Sequence, residues 1–195
     1  MLQKLAHRIL RLSGWKTVGE IPPIEKGVFI AAFHTSNWDG FWLIVYKFAL
    51  NVKVMFLAKH TLFWWPLGAL LRKFGAIPID RGHTHSTVQQ LVDAFATRDH
   101  LFLALAPEGT RKWQPYWKSG FYQIARKAGV PIVMAFIDYK KKEMGIGPHF
   151  TPGDPEKDLQ QMRDFYRGVT PRHARNQGPI AFPPEQVELF RSHPR

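Results

Sequence analysis

The chain has 195 residues, 45% of them hydrophobic and 22% charged, a composition that suits one folded domain with a substantial core and excludes a disordered chain. It contains no cysteine, which excludes a disulfide framework and any thiolate metal site and is compatible with a reducing cytoplasm. With 27 basic against 15 acidic residues the net charge is +12, and such an excess asks for an anionic partner: lipid head groups, an acidic carrier protein, phosphorylated small molecules or nucleic acid.

From the N-terminus, residues 2–15 place Leu2, Leu5, Ala6, Ile9, Leu12 and Trp15 at helical spacing, with Lys4, Arg8 and Arg11 elsewhere on the wheel. A basic amphipathic helix of this kind suits an anionic lipid surface, or it packs on the domain's own core. Its charges interrupt the apolar stretch and no small-residue cleavage site follows, so it does not read as a secretory signal. Next come a strand at 27–33, a helix at 39–50, a strand at 52–58 and a helix at 61–73. This last helix, with Phe63, Trp64, Trp65, Leu67, Leu70 and Leu71, is either a second lipid contact or a buried core helix. A strand at 76–79 leads to a helix at 84–97 whose Val88, Leu91, Val92 and Phe95 mark one face. A strand at 101–106, a helix at 117–128 and a strand at 131–138 complete the alternating part. Beyond Tyr139 the pattern weakens to a solvated lysine turn, an edge strand over 144–150 and a helix over 156–169. The tail, 170–195, carries Pro171, Pro179, Pro183 and Pro184 and is expected to be partly disordered. Strands alternating with helices predict a single α/β domain over 1–195: a largely parallel sheet with helices packed on it, preceded by the amphipathic helix. No apolar run approaches the ~20 residues that span a bilayer, so the chain is expected to lie on a membrane and not to cross it.

Two polar blocks stand where apolar runs end. The first, Phe33-His34-Thr35-Ser36-Asn37-Trp38-Asp39-Gly40, follows the strand at 27–33. Five positions along one regular helix turn a side chain by about 140° net, so His34 and Asp39 face each other only if the chain turns between them. Thr35, Ser36 and Asn37 are residues that turn a chain and cap a helix. Asp39 in the first helical turn then reaches back to a ring nitrogen of His34, fixes its tautomer and makes it a general base. The same block reads equally as a helix cap beside an ordinary strand-end histidine. No Gly-x-Ser-x-Gly and no cysteine offers a side-chain nucleophile, so the hydroxyl that such a base activates belongs to a substrate. The second block, Pro107-Glu108-Gly109-Thr110-Arg111, offers a glycine, a hydroxyl and a guanidinium fork, and suits an anionic group; alone it is also an ordinary turn with a surface ion pair. A third block, Gly75 to Arg81, likewise ends an apolar stretch in a charged pair, Asp80-Arg81.

The order of these blocks, His34 to Asp39, Gly75 to Arg81, Pro107 to Arg111 and then Gly129-Val-Pro-Ile-Val133, resembles the four motifs of the glycerolipid acyltransferases of the 1-acylglycerol-3-phosphate acyltransferase type, and the resemblance covers about residues 27–139. It implies transfer of a fatty acyl group from a thioester of coenzyme A or acyl carrier protein to a hydroxyl, commonly on a lysophospholipid. By the same resemblance His34 is the general base, Asp39 its orienter, and Arg81, Glu108, Gly109 and Arg111, with Thr110 beside them, bind the acceptor's phosphate. Lys59 resembles a family lysine placed near the reacting carbonyl. Pro78, Phe33 and Met134 depart from common family residues without touching the base, and they bear on which acceptor is used.

The partners implied are a membrane lipid surface at the cytoplasmic face of the cell membrane, a lysophospholipid acceptor and an acyl donor; no cofactor is expected. No His-Glu-x-x-His or similar spacing occurs, so no metal is expected either. Nucleic acid is disfavoured because the Trp and Phe residues sit inside apolar runs and are not interleaved with Lys and Arg. The competing classes are an acyltransferase for another lipid acceptor, a hydrolase, and a non-catalytic protein binding membranes or nucleic acid.

Overall fold

Apolar runs separated by amphipathic stretches produce one seven-stranded sheet with helices on both faces; the computed structural model describes residues 2–79 and 84–192. In chain order the elements are α1 (Leu2–Ser13), β1 (Lys16–Val18), β2 (Lys26–Ala32), α2 (Asn37–Ala49), β3 (Val54–Lys59), α3 (Leu67–Lys73) and β4 (Ala76–Ile79). They continue with α4 (Thr84–Ala96), β5 (Leu101–Leu105), α5 (Gly120–Ala128), β6 (Ile132–Asp138), β7 (Glu143–Phe150), α6 (Pro155–Tyr166) and α7 (Pro184–Ser192). The spatial order is β1-β7-β6-β2-β5-β3-β4. From β6 to β4 every pairing is parallel; β7 runs antiparallel to β6, and β1 runs parallel to β7.

β2 and β6 lie at the centre and are apolar almost throughout, as strands covered on both faces must be. On one face Val28, Ile30, Leu103, Ile132 and Met134 meet residues of α4, α5, α6 and α7. On the other, Phe29, Val133 and Ile137 meet α1 and α2 through Ala6, Leu10, Trp42, Val45 and Tyr46. The chain therefore leaves β2 for a helix on one face and leaves the adjacent β5 for a helix on the opposite face. Between two such strands the connections diverge and a crevice opens at their carboxyl ends. Both polar blocks stand there.

Several boundaries differ from the sequence reading. The helix expected over 61–73 is a single turn at His60–Leu62 followed by α3, because Pro66 denies helical geometry to the residue before it. Trp64 and Trp65 are exposed in the break and do not belong to a buried helix. α5 starts at Gly120, three residues late, after an irregular segment that follows the second block. The tail expected to be partly disordered is ordered through residue 192: Ile180, Phe182 and Phe190 are buried, Trp117 N–H donates to the Ala181 carbonyl at 2.8 Å, and Arg126 donates to the Phe190 carbonyl at 2.9 Å. The apolar residues of α1 divide between two environments. Ala6 and Leu10 pack on α2, Gln3 ties the two helices through the Ala49 carbonyl at 3.1 Å, and Leu2, Leu5 and Leu12 remain exposed.

Candidate active site

Ser36 caps α2, its hydroxyl accepting from the Trp38 N–H at 3.2 Å, and Asp39, three residues into the helix, reaches back toward the cap. Asp39 Oδ2 accepts the Thr35 and Ser36 N–H groups, each at 2.8 Å, and lies 3.2 Å from His34 Nδ1. The cap and the His–Asp pair are thus one construction: the hydrogen bonds that start α2 also aim the carboxylate at the ring. Asp39 is 2% exposed and His34 24%, so the acid is sealed while the imidazole is reachable. Burial pushes the Asp39 carboxyl up, but hydrogen bonds from His34, Tyr139 and the Ser36 N–H outweigh it and hold the group below its ordinary value. An ionised Asp39 on Nδ1 leaves Nε2 as the nitrogen that can take a proton.

The second block meets the first through two contacts. The His34 N–H donates to Glu108 Oε1 at 3.0 Å, and the exposed Arg111 donates to Asn37 Oδ1. Arg111 therefore stands at the mouth of the crevice, held there by a residue that lies between His34 and Asp39. Glu108 does not share that exposure. It is 5% exposed, its second oxygen has no hydrogen-bond partner among the described residues, and its first oxygen braces the backbone of His34 from inside the fold. Burial pushes its carboxyl up to about 7 against the pull of its own N–H, the His34 N–H and the His34 ring. Gly109 turns the chain in the left-handed region, φ +65°, with its N–H on the Ala106 carbonyl at 3.1 Å, and Thr110 accepts the Lys112 N–H at 3.4 Å. Arg81 lies outside the described residues. Lys59 ends β3, and its side chain is outside them as well.

Three contributors are absent from the sequence reading. Tyr139, the first residue beyond β6, donates its hydroxyl to Asp39 Oδ1 at 2.6 Å. Arg172 sits over the rings of Trp38 and Tyr139, at 5.7 and 5.6 Å from their centroids. His173 donates its N–H to Thr35 Oγ at 3.2 Å and so ties the segment after α6 to the first block. Tyr139 follows an apolar strand as His34 does, but only the pairing of β2 with β6 brings it to Asp39, and nothing in the proline-rich composition around Arg172 marks that residue.

An apolar cavity of about 250 Å³ opens beside His34 and runs between α2 and the sheet. Gly40, Ile44 and Leu50 line it from α2 and its end, and Phe29, Phe56 and Ala104 from the strands. A Cβ at Gly40 would meet no described atom within 4 Å, so this point of the lining has open space around it. From Gly40 to Leu50 it follows about 15 Å of helix. Lys47 lies toward the far end, with its ammonium on the Phe74 carbonyl. Among the described residues no cluster of three or more His, Asp or Glu is placed to hold a metal ion.

The family model for Acyltransferase matches residues 14–137, a stretch that includes both polar blocks and the strands that position them. Among solved structures, the 1-acyl-sn-glycerophosphate (LPA) acyltransferase PlsC from Thermotoga maritima is similar in fold: TM-score 0.60 at 19% identity, over 86% of this chain and 76% of that one. No curated protein matches the chain.

Proposed function

The chain belongs to the acyltransferase family, and on that premise we propose that it moves a fatty acyl group from an acyl-coenzyme A or acyl carrier protein thioester to a hydroxyl of a lysophospholipid such as 1-acylglycerol-3-phosphate. The observation that carries this reading is the apolar cavity that begins at His34. A base at the mouth of a narrow apolar channel suits a substrate whose reactive end is polar and whose remainder is a hydrocarbon chain.

In the proposed reaction the acyl chain lies along α2 and its thioester carbonyl rests beside His34. His34 Nε2 takes the proton of the acceptor hydroxyl as the oxygen attacks that carbonyl; the tetrahedral intermediate then expels the thiolate, which recovers the proton from the imidazolium. Asp39 keeps Nδ1 protonated and stabilises the charged ring. Arg111 at the mouth is the described cation best placed for an acceptor phosphate, and Arg81 is a second by family resemblance. Gly109 and Thr110 shape the turn that presents Arg111, and Lys59 ends the strand whose Phe56 and Leu57 line the cavity. Glu108 serves this site by fixing the His34 backbone.

No helix among the described residues is long and apolar enough to cross a membrane. Peripheral attachment at the cytoplasmic face of the cell membrane is supported by the exposed Leu2, Leu5 and Leu12 of α1, by Trp38, Phe41, Trp64, Trp65 and Trp113 at the surface, and by the net charge of +12. The test is thiol release from acyl-coenzyme A and from acyl carrier protein with lysophosphatidate and with neutral and amino-containing lysolipids as acceptors. The diacyl product identifies transfer; free fatty acid alone would identify a hydrolase and refute the proposal.

A further inference from the structure

Among the described residues Asp39 has four donors, and three of them are not the histidine. Oδ2 takes the Thr35 and Ser36 N–H groups together with the His34 ring, and Oδ1 takes the Tyr139 hydroxyl. The Oδ2 donors come from residues next to one another on the same short turn, so they move with His34. Tyr139 is the donor anchored elsewhere, at the end of β6. A carboxylate held through one oxygen retains freedom about its terminal torsion, which is broad for Asp. A donor on the other oxygen fixes the plane. The Tyr139 ring is itself held on two sides, by Trp15 edge-on at 5.2 Å and by Arg172 over its face.

We propose that Tyr139 is a positioning residue of this site: its hydroxyl pins the Asp39 carboxylate in the plane from which it orients His34, and Trp15 and Arg172 hold the hydroxyl where it must be. The proposal rests on the reading of His34 and Asp39 as the base and its orienter. Besides Tyr139, the charged or titratable groups facing Asp39 among the described residues are His34 beside it, Glu108 from the segment after β5, and Arg172, from the segment after α6, through the Tyr139 ring. Burial and the Asp39 charge push the Tyr139 hydroxyl well above its ordinary value, so its proton stays on oxygen and it acts as a neutral donor.

Tyr139→Phe keeps the ring and its neighbours and removes the donor. The Asp39 carboxyl, followed by carbon NMR in the free protein, is expected to take up its proton about one pH unit higher, the equivalent of one lost hydrogen bond to a charged group, and the acidic limb of kcat/KM, which reports the coupled His34–Asp39 pair, to move in the same direction. A ring-fluorinated tyrosine at position 139, a stronger donor of nearly the same shape, moves both the other way. A ring that only fills space would move neither. An Asp39 midpoint unchanged in either variant overturns the proposal. The NMR midpoint needs no substrate, so a parent protein without transferase activity in which the midpoint still moves refutes the functional reading and supports the pinning.

Discussion

Glu108 makes the stability of this fold depend on pH in a calculable way. Its carboxyl is raised from 4.5 to about 7, chiefly by burial. An acid whose folded value exceeds its unfolded one keeps its proton in the native state over the interval where the unfolded chain has already released it. The associated stability is fully present below about pH 4.5 and is lost as pH rises through about 7. The gap of about 2.5 units corresponds to about 3 kcal/mol at roughly 1.4 kcal/mol per unit, a large share of the stability of a domain this size. Glu108→Gln retains the shape and an oxygen acceptor for the His34 N–H, offers an amide where the second carboxyl oxygen lacks a partner, and does not titrate. Urea unfolding of parent and variant at about pH 5, 7 and 9 gives the difference, in which the remaining titratable groups largely cancel. The parent is expected to lose between about 2 and 3 kcal/mol relative to the variant across that range, since part of the effect is already gone at pH 5, and most of the loss falls below about pH 8. Parallel curves, with a difference constant to within about 0.5 kcal/mol, would show that the Glu108 carboxyl is solvated in the folded state and keeps an ordinary carboxylate's titration there.

Three further outcomes follow from the same geometry. His34→Ala should lower turnover by about 10²- to 10⁴-fold while the protein stays folded, with a melting temperature lowered only by the loss of one of the four donors to the buried Asp39, since the His34 backbone bond to Glu108 is kept; steady-state rates and a thermal melt check both halves. Arg111→Ala, at an exposed side chain, should raise KM for a phosphorylated acceptor by about tenfold or more while leaving a neutral acceptor little changed, which parallel kinetics on the two acceptors measure. Leu50→Trp, at the far end of the cavity, should shift donor preference toward shorter chains, with kcat/KM falling by about fourfold for each methylene that no longer fits, as read from a series of acyl donors.

The fold was legible wherever burial was complete. β2 and β6 are apolar runs because the sheet is covered on both faces, and a run of that kind needs no partner to be recognised. β1 carried no such mark: its three residues, Lys16, Thr17 and Val18, are all exposed on a sheet edge, so neither length nor periodicity distinguishes them from a loop. α7 was hidden by its prolines. Pro183 and Pro184 resemble a disordered tail in composition, yet Pro184 opens the helix, a position where a missing N–H costs nothing, and Phe190 two turns later enters the core. The helix read over 61–73 failed for the opposite reason, since its apolar content was continuous while Pro66 cut its geometry.

The site divides along another line. His34 and Asp39 could be paired from the sequence because their partnership is local: five residues, a turn and a helix cap decide it. The burial of Glu108 was not legible, because a charged letter in a turn reads as surface and its burial depends on segments far along the chain. Tyr139 required strand order. Ala32 of β2 stands opposite Phe136 of β6, so His34, two residues beyond the first, and Tyr139, three beyond the second, emerge at the same height on the same edge of the sheet although about a hundred residues of chain separate Tyr139 from Asp39. Periodicity reads which face a residue takes but not which strand lies alongside. Once the parallel pairing of β2 with β6 is known, the approach of the Tyr139 hydroxyl to the Asp39 carboxylate follows from the register, and so does the expectation that a change at either strand end is felt at the imidazole.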